Sequence, residues 1–237
     1  MMRVLRGMDV SHWQRGIDMP KAASSVDFVI CKATEGSSAS GMVDAYCDGW
    51  IQTVRKLGKL YGFYHVLTTA TGTAQADYFW NNCKNYFHEG VPVLDIEGTA
   101  ANPNDPDRAY DFCQRMHTLS GVWPVIYINR SCLNQRDWSK VAGLGCGLWI
   151  ANWPNGSTTH EWAERNTDRM SKASPFAFAA IWQFTSTGRV SGYSGDVDLD
   201  LFFGDADAWH AYAGSAGKAK DLVVEDEIYK VTVERKG

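Results

Sequence analysis

Nowhere in the 237 residues does an apolar run reach the roughly 18 that a membrane-spanning helix needs, so no membrane partner is expected. The opening MMRVLRGMDV holds neither an apolar stretch nor a small-residue cleavage site of the secretory kind. Basic residues are not in excess. The 23 Lys and Arg stand against 27 Asp and Glu, a net charge of -4, which leaves no electrostatic footprint for nucleic acid or for capture by an anionic cell wall. No CxxC pair occurs and no histidine lies at metal-ligand spacing, so neither a metal nor any other cofactor is expected. No G-x-S-x-G elbow surrounds Ser11, which makes it a weak nucleophile, and the glycines match no phosphate loop. Cys31, Cys47, Cys83, Cys113, Cys132 and Cys146 are scattered through a chain without a visible leader, and read as reduced core thiols.

What is present is a composition of ordinary globular type, 45% hydrophobic and 21% charged. Short apolar or β-branched runs recur along it: VLRGMDV near the start, FVICKAT, LYGFYHV, VPVLDIE, PVIYIN, LWIAN, AIWQFT and VDLDLFF. Most lack period-2 alternation, which suits strands buried on both faces. Helical patterns lie between them. Met42, Val43, Tyr46, Trp50, Val54 and Leu57 recur at three- and four-residue steps before Gly58. Asp105 and Pro106 make an N-cap and first-turn pair, and residues 73–86 and 161–172 are further helix candidates. Most gaps between strands suit a strand–helix crossover. Eight strands so connected predict an α/β fold, an irregular (β/α)8-like barrel over residues 1–209. After it, AYAGSAGKAK reads as a linker and DLVVEDEIYKVTVERKG as a charged hairpin, so residues 210–237 form a short β-rich appendage.

In such a barrel the active site lies at the C-terminal ends of the strands. The run ends supply Asp9, then Lys32 and Glu35, Tyr64 and His65, Asp95 and Glu97, Tyr127 and Asn129, Trp149 and Trp153, Trp182 and Gln183, and Asp198. Carboxylates can move protons and balance an oxocarbenium charge, and aromatic faces pack on sugar rings. Asp95 and Glu97 are the sharpest pair. Two apart on a strand, they share a face with Cα atoms about 6.5–7 Å apart, which turns Leu94 and Ile96 toward the helices. Burial raises the pKa of whichever carboxyl is worse solvated. A lone D-x-E is also commonly a salt-bridged or capping pair, Asp9 equally suits an Asx turn, and any single Trp, Trp182 or Trp153 included, is more often core. His12 and His65 are acid–base candidates of lower rank.

Seven segments in order, MDVSHWQRGIDM, DFVICKATEG, YGFYHVL, PVLDIEG, PVIYINR, LWIANWP and IWQFTSTGRVSGYSGDVDLDLF, resemble glycoside hydrolase family 25, the Chalaropsis-type lysozymes of fungi, bacteria and phages. The resemblance spans roughly residues 5–205. It implies a muramidase that hydrolyses the β-1,4 bond between N-acetylmuramic acid and N-acetylglucosamine in bacterial peptidoglycan. It carries the proton donor onto Glu97, with Asp95, Asp9 and Asp198 assisting, and puts Tyr64, Tyr127, Trp149 and Gln183 along the sugar groove, beside Lys32 and Trp153. The sequence departs from the pattern in two places. Asp200 stands where the family has Asn, so Asp196, Asp198 and Asp200 compete for the late acid, Asp198 being preferred by position; WQRGID also replaces a plainer WQGxID. The alternative reading is a wall-glycan-binding barrel without catalysis, and a third is a chitinase-like glycosidase. The absence of a leader and the free thiols suit a phage endolysin held in the host cytoplasm until release, or else export by a non-Sec route. The tail is a candidate for wall binding or self-association.

Overall fold

The structure is a computed structural model that describes residues 3–153, 162, 173–215, 223–225 and 230–232. Its strands are β1 (Val4–Val10), β2 (Phe28–Glu35), β3 (Met42–Val43), β4 (Leu60–Val66), β5 (Val91–Ile96), β6 (Val125–Asn129), β7 (Leu148–Ala151), β8 (Ile181–Gly188), β9 (Val197–Phe203), β10 (Val223–Glu225) and β11 (Lys230–Thr232). The helices are α1 (Met19–Ser24), α2 (Cys47–Lys56), α3 (Gly72–Cys83), α4 (Pro106–Ser120), α5 (Arg130–Gln135), α6 (Ser139–Ala142) and α7 (Ala206–Tyr212). Among the described residues, the strands pair in the order β1-β9-β8-β7-β6-β5-β4-β2-β3, and a further β1–β2 pairing closes eight of them into a barrel. The eight expected runs are those eight strands. β10 and β11 pair antiparallel, as the tail pattern predicts.

Parallel strands covered on both faces need apolar residues on both, and the core divides accordingly. Phe28, Ile30, Val91, Val93, Val125 and Phe202 fill the barrel interior. Val29, Cys31, Leu94, Ile96, Ile126 and Ile150 join the layer between sheet and helices, with Phe79 of α3 and Phe112 of α4. Leu94 and Ile96 thus face outward as period-2 reasoning requires, which turns Val91, Val93 and Asp95 inward. Gly7 has a packing reason: a Cβ there would meet the Phe28 ring. All six cysteines are buried and unpaired.

Three features differ from or extend the sequence reading. β9 runs antiparallel to both neighbours, β1 and β8. Only residues 189–196 separate it from β8, and a parallel return needs about a dozen residues or more. The start of β9 therefore lies at the same barrel end as the finishes of the other strands. Second, the helical period over Met42 to Leu57 is overridden in its first turn. Met42 and Val43 pair with Glu35 and Thr34 as an edge strand, and α2 begins only at Cys47. Asp44 makes this possible by accepting from the backbone N–H groups of Tyr46 and His12. Third, α7 runs through position 209 and ends at Tyr212, with Ala213 still buried. Trp209 from this helix plugs the lower end of the barrel against Phe28 and Phe202, its indole donating to the Tyr61 carbonyl. α4 starts on Asp105 and Pro106 as expected, Asp105 accepting from the Arg108 N–H. The candidate helix over 161–172 lies outside the described residues, Trp162 excepted.

Candidate active site

At the upper end of the barrel the inward face changes from apolar to acidic and aromatic. The residues there enclose a cavity of about 570 Å³ whose walls include Asp9, Lys32, Tyr64, Asp95, Glu97, Tyr127, Trp149, Trp153, Gln183 and Asp198. Eleven of the fourteen strand-end candidates therefore border one space, and His65, Asn129 and Trp182 do not.

The carboxyls differ sharply in setting. Asp95 is buried, and its Oδ1 has no hydrogen-bond partner. Burial, then the neighbouring Glu97 and Asp9, push its pKa well above the carboxylate range. Glu97, one residue past the end of β5, is exposed at the mouth and accepts from Asn102 Nδ2 at 2.7 Å on Oε2. The worse-solvated member of the D-x-E is thus Asp95. Backbone contacts hold Glu97 as well: its carbonyl accepts from Asn129 Nδ2 at 3.3 Å and from the Cys132 thiol at 3.5 Å. Gly98, which follows with φ +76°, leaves room for that sulfur, and a Cβ there would collide with it.

Asp9 is buried and accepts from Gln183 Nε2 at 2.8 Å. Its pKa is raised by burial and by Asp200. Asp198 stands opposite Asp9 in the β1–β9 ladder and is raised by burial and then by Asp9. Of the three late acids, Asp196 pairs outside the cavity with Arg189 and Asp200 is fully buried, while Asp198 borders the cavity. Lys32 donates to Glu35 at 2.7 Å, and its charge works against the rise at Asp95.

The aromatic walls are tied together. Tyr127 donates its hydroxyl to Gln183 Oε1 at 2.9 Å, and the Trp153 indole reaches the same oxygen at 3.2 Å. Burial and the surrounding aspartates keep Tyr64 and Tyr127 protonated, as hydrogen-bond donors. Trp153 is 47% exposed, so it is a cavity wall, whereas Trp182 is core and donates to the Asn152 carbonyl.

His65 lies outside the cavity lining. It is buried between Thr34 and Gln75, and burial pushes its pKa down to about 3, which keeps the ring neutral. His12 borders the cavity and is held by Asp44 at 3.0 Å. Ser11 caps the turn at His12–Gln14.

Sequence reasoning missed Trp13, Asn102 and Met42 as cavity residues. Trp13 is 72% exposed; an apolar ring in a polar turn is the signal that would have found it. Asn102 sits in an irregular loop five residues past Glu97, where no period points anywhere.

The family model for glycosyl hydrolases family 25 matches residues 8–193. Lysozyme M1 of Streptomyces globisporus is 31% identical over 85% of this chain and 69% of its own length. An N,O-diacetylmuramidase of Arthroderma benhamiae is 26% identical over 88% of this chain and 86% of its own. The solved bacterial lysozyme from Streptomyces coelicolor superposes with a TM-score of 0.72 at 30% identity, covering 90% of this chain and 98% of that one.

Proposed function

Because the chain belongs to glycosyl hydrolases family 25, we propose that it is a muramidase, cutting the β-1,4 bond between N-acetylmuramic acid and N-acetylglucosamine in bacterial peptidoglycan. The observation that carries this is the acid pair Asp95 and Glu97 at the mouth of an acid-walled cavity, inside the matched segment.

Glu97 protonates the leaving glycosidic oxygen. Asn102 occupies Oε2, so Oε1 is the oxygen left to meet the glycosidic oxygen. Asp95, Asp9 and Asp198 form an acidic wall whose carboxyl oxygens face the positive charge that develops at the anomeric carbon. The unpartnered Asp95 Oδ1 accepts the N–H of the substrate's 2-acetamido group, which satisfies a buried oxygen that is otherwise orphaned. Tyr64, Tyr127, Trp149 and Trp153 supply ring faces and donors for the sugars, and Lys32 and Gln183 supply N–H groups.

The six buried, unpaired thiols suit folding in a reducing compartment, which supports an endolysin stored in a host cytoplasm. The catalytic unit ends with α7, and the tail beyond Ser215 serves wall contact or self-association. Deletion of residues 216–237 separates that role from catalysis.

Digestion of purified peptidoglycan by wild type and Glu97→Gln, with released ends reduced and identified by mass spectrometry, tests the reading. Reducing N-acetylmuramic acid ends from wild type alone are expected. Retained sedimentation with cell walls and no new ends from either protein would leave a binding barrel instead.

A further inference from the structure

Asp200 takes no part in the mechanism above, yet it is fully buried in the barrel wall behind the cavity. Its Oδ1 accepts from the Trp149 indole at 2.8 Å. Its Oδ2 is buried and meets no donor. The antiparallel ladder sets Asp200 opposite Gly7 and Asp198 opposite Asp9, so Asp9 and Asp200 lie diagonally on one face of two adjacent strands. The Asp9 and Asp200 carboxyls lie within hydrogen-bonding reach of each other. On its other side Asp9 is engaged by Gln183, which is itself the register partner of Asp200 on β8.

Two buried carboxylates in that relation repel each other, whereas one proton between them converts the repulsion into a hydrogen bond. We propose that Asp9 and Asp200 form a carboxylic dyad sharing one proton at neutral pH, and that this proton links the two sides of the cavity wall. The link is continuous: Trp153 to Gln183, Gln183 to Asp9, Asp9 to Asp200, and Asp200 to Trp149. It joins β7, β8, β1 and β9.

The charged and titratable groups that face the dyad offer no substitute for the proton. They are Asp198 on β9, Asp95 on β5, Tyr64 on β4 and Tyr127 on β6, all neutral or negative. Lys32 on β2 is paired with Glu35. Burial and mutual repulsion push Asp9 upward, and burial and Asp198 do the same for Asp200.

The dyad rests on the muramidase reading only for its effect on turnover, so its test needs no catalysis. Asp200→Asn keeps the shape and supplies a permanent N–H toward Asp9. Carbon NMR of protein labelled at the aspartate carboxyls is expected to show the pair titrating in two widely separated steps in wild type, and in one step in the variant. Thermal melts give a second readout. Folded carboxyls with raised pKa hold their full stability below about pH 4 and lose it as pH climbs through the folded range. The two melting curves should therefore meet in acid and diverge above it, wild type falling relative to Asp200→Asn. Parallel curves, with both carboxyls titrating once near the ordinary value, would overturn the dyad. Should Asp200→Asn not fold, Asp9→Asn donates from the other side, and the wild-type titration alone still decides. If the protein turns over peptidoglycan, the alkaline limb of kcat/KM moves to higher pH in Asp200→Asn. If it does not, the muramidase reading fails and the dyad stands or falls on the spectra.

Discussion

The two ends of this barrel are made by the same eight strands and share almost nothing else. At the lower end Phe28, Phe202 and Trp209 fill the interior, and α7 closes it. At the upper end the same inward positions hold Asp9, Lys32, Asp95, Gln183 and Asp198 around an open cavity. Along β5 the change takes two residues, from Val93 to Asp95. Four carboxyls at the upper end are raised by burial, so folding them into place costs free energy at neutral pH. Aromatic packing at the closed end offsets that cost. Stability and chemistry are thereby separated along the barrel axis.

The sharpest way to break this contrast is Glu97→Gln, which removes the acid and leaves the packing alone. It should lower kcat by about 10²–10⁴-fold while the melting temperature stays near wild type. Trp209→Ala attacks the other end. It should cost about 3–5 kcal/mol in denaturant unfolding, with the folded fraction keeping its kcat. A parallel loss of kcat there would show that the two ends are coupled.

Asp95→Asn should divide the two properties in one residue, lowering activity and raising stability. The sign follows from the raised folded pKa: the carboxyl's stability is intact below about pH 4 and declines above it. The variant's advantage should thus be absent in acid and grow by about 1.4 kcal/mol per pH unit across the window between the ordinary and folded values. A pH-independent difference would mean that the Asp95 carboxyl titrates alike in the folded and unfolded chain. The smallest effect belongs to Asn102→Ala. Loss of one hydrogen bond to the Glu97 carboxyl should lower kcat/KM by about three- to tenfold and alter its pH profile, with little change in melting.

Much of the site was legible because it obeys a short period. Alternation puts Val91, Val93 and Asp95 on one face and Leu94 and Ile96 on the other, and strand ends in a barrel converge. Strand ends therefore gave fourteen candidates from Asp9 to Asp198, of which all but His65, Asn129 and Trp182 border one space, and the family resemblance supplied their roles. The period failed where a neighbouring strand outbid it, as at Met42 and Val43, which pair with β2 instead of starting a helix. Trp13 and Asn102 carry no period because they sit in irregular segments.

The order of strands and helices, the inward and outward faces and the concentration of acids at one end follow from local patterning, since each depends on neighbours within a few residues. The burial that separates Asp95 from Glu97, the Trp209 plug and the meeting of Asp9 with Asp200 do not. Each arises when barrel closure sets β1 beside β9, nearly the full length of the domain apart in the chain. The free energy of a carboxyl depends on what that closure leaves around it.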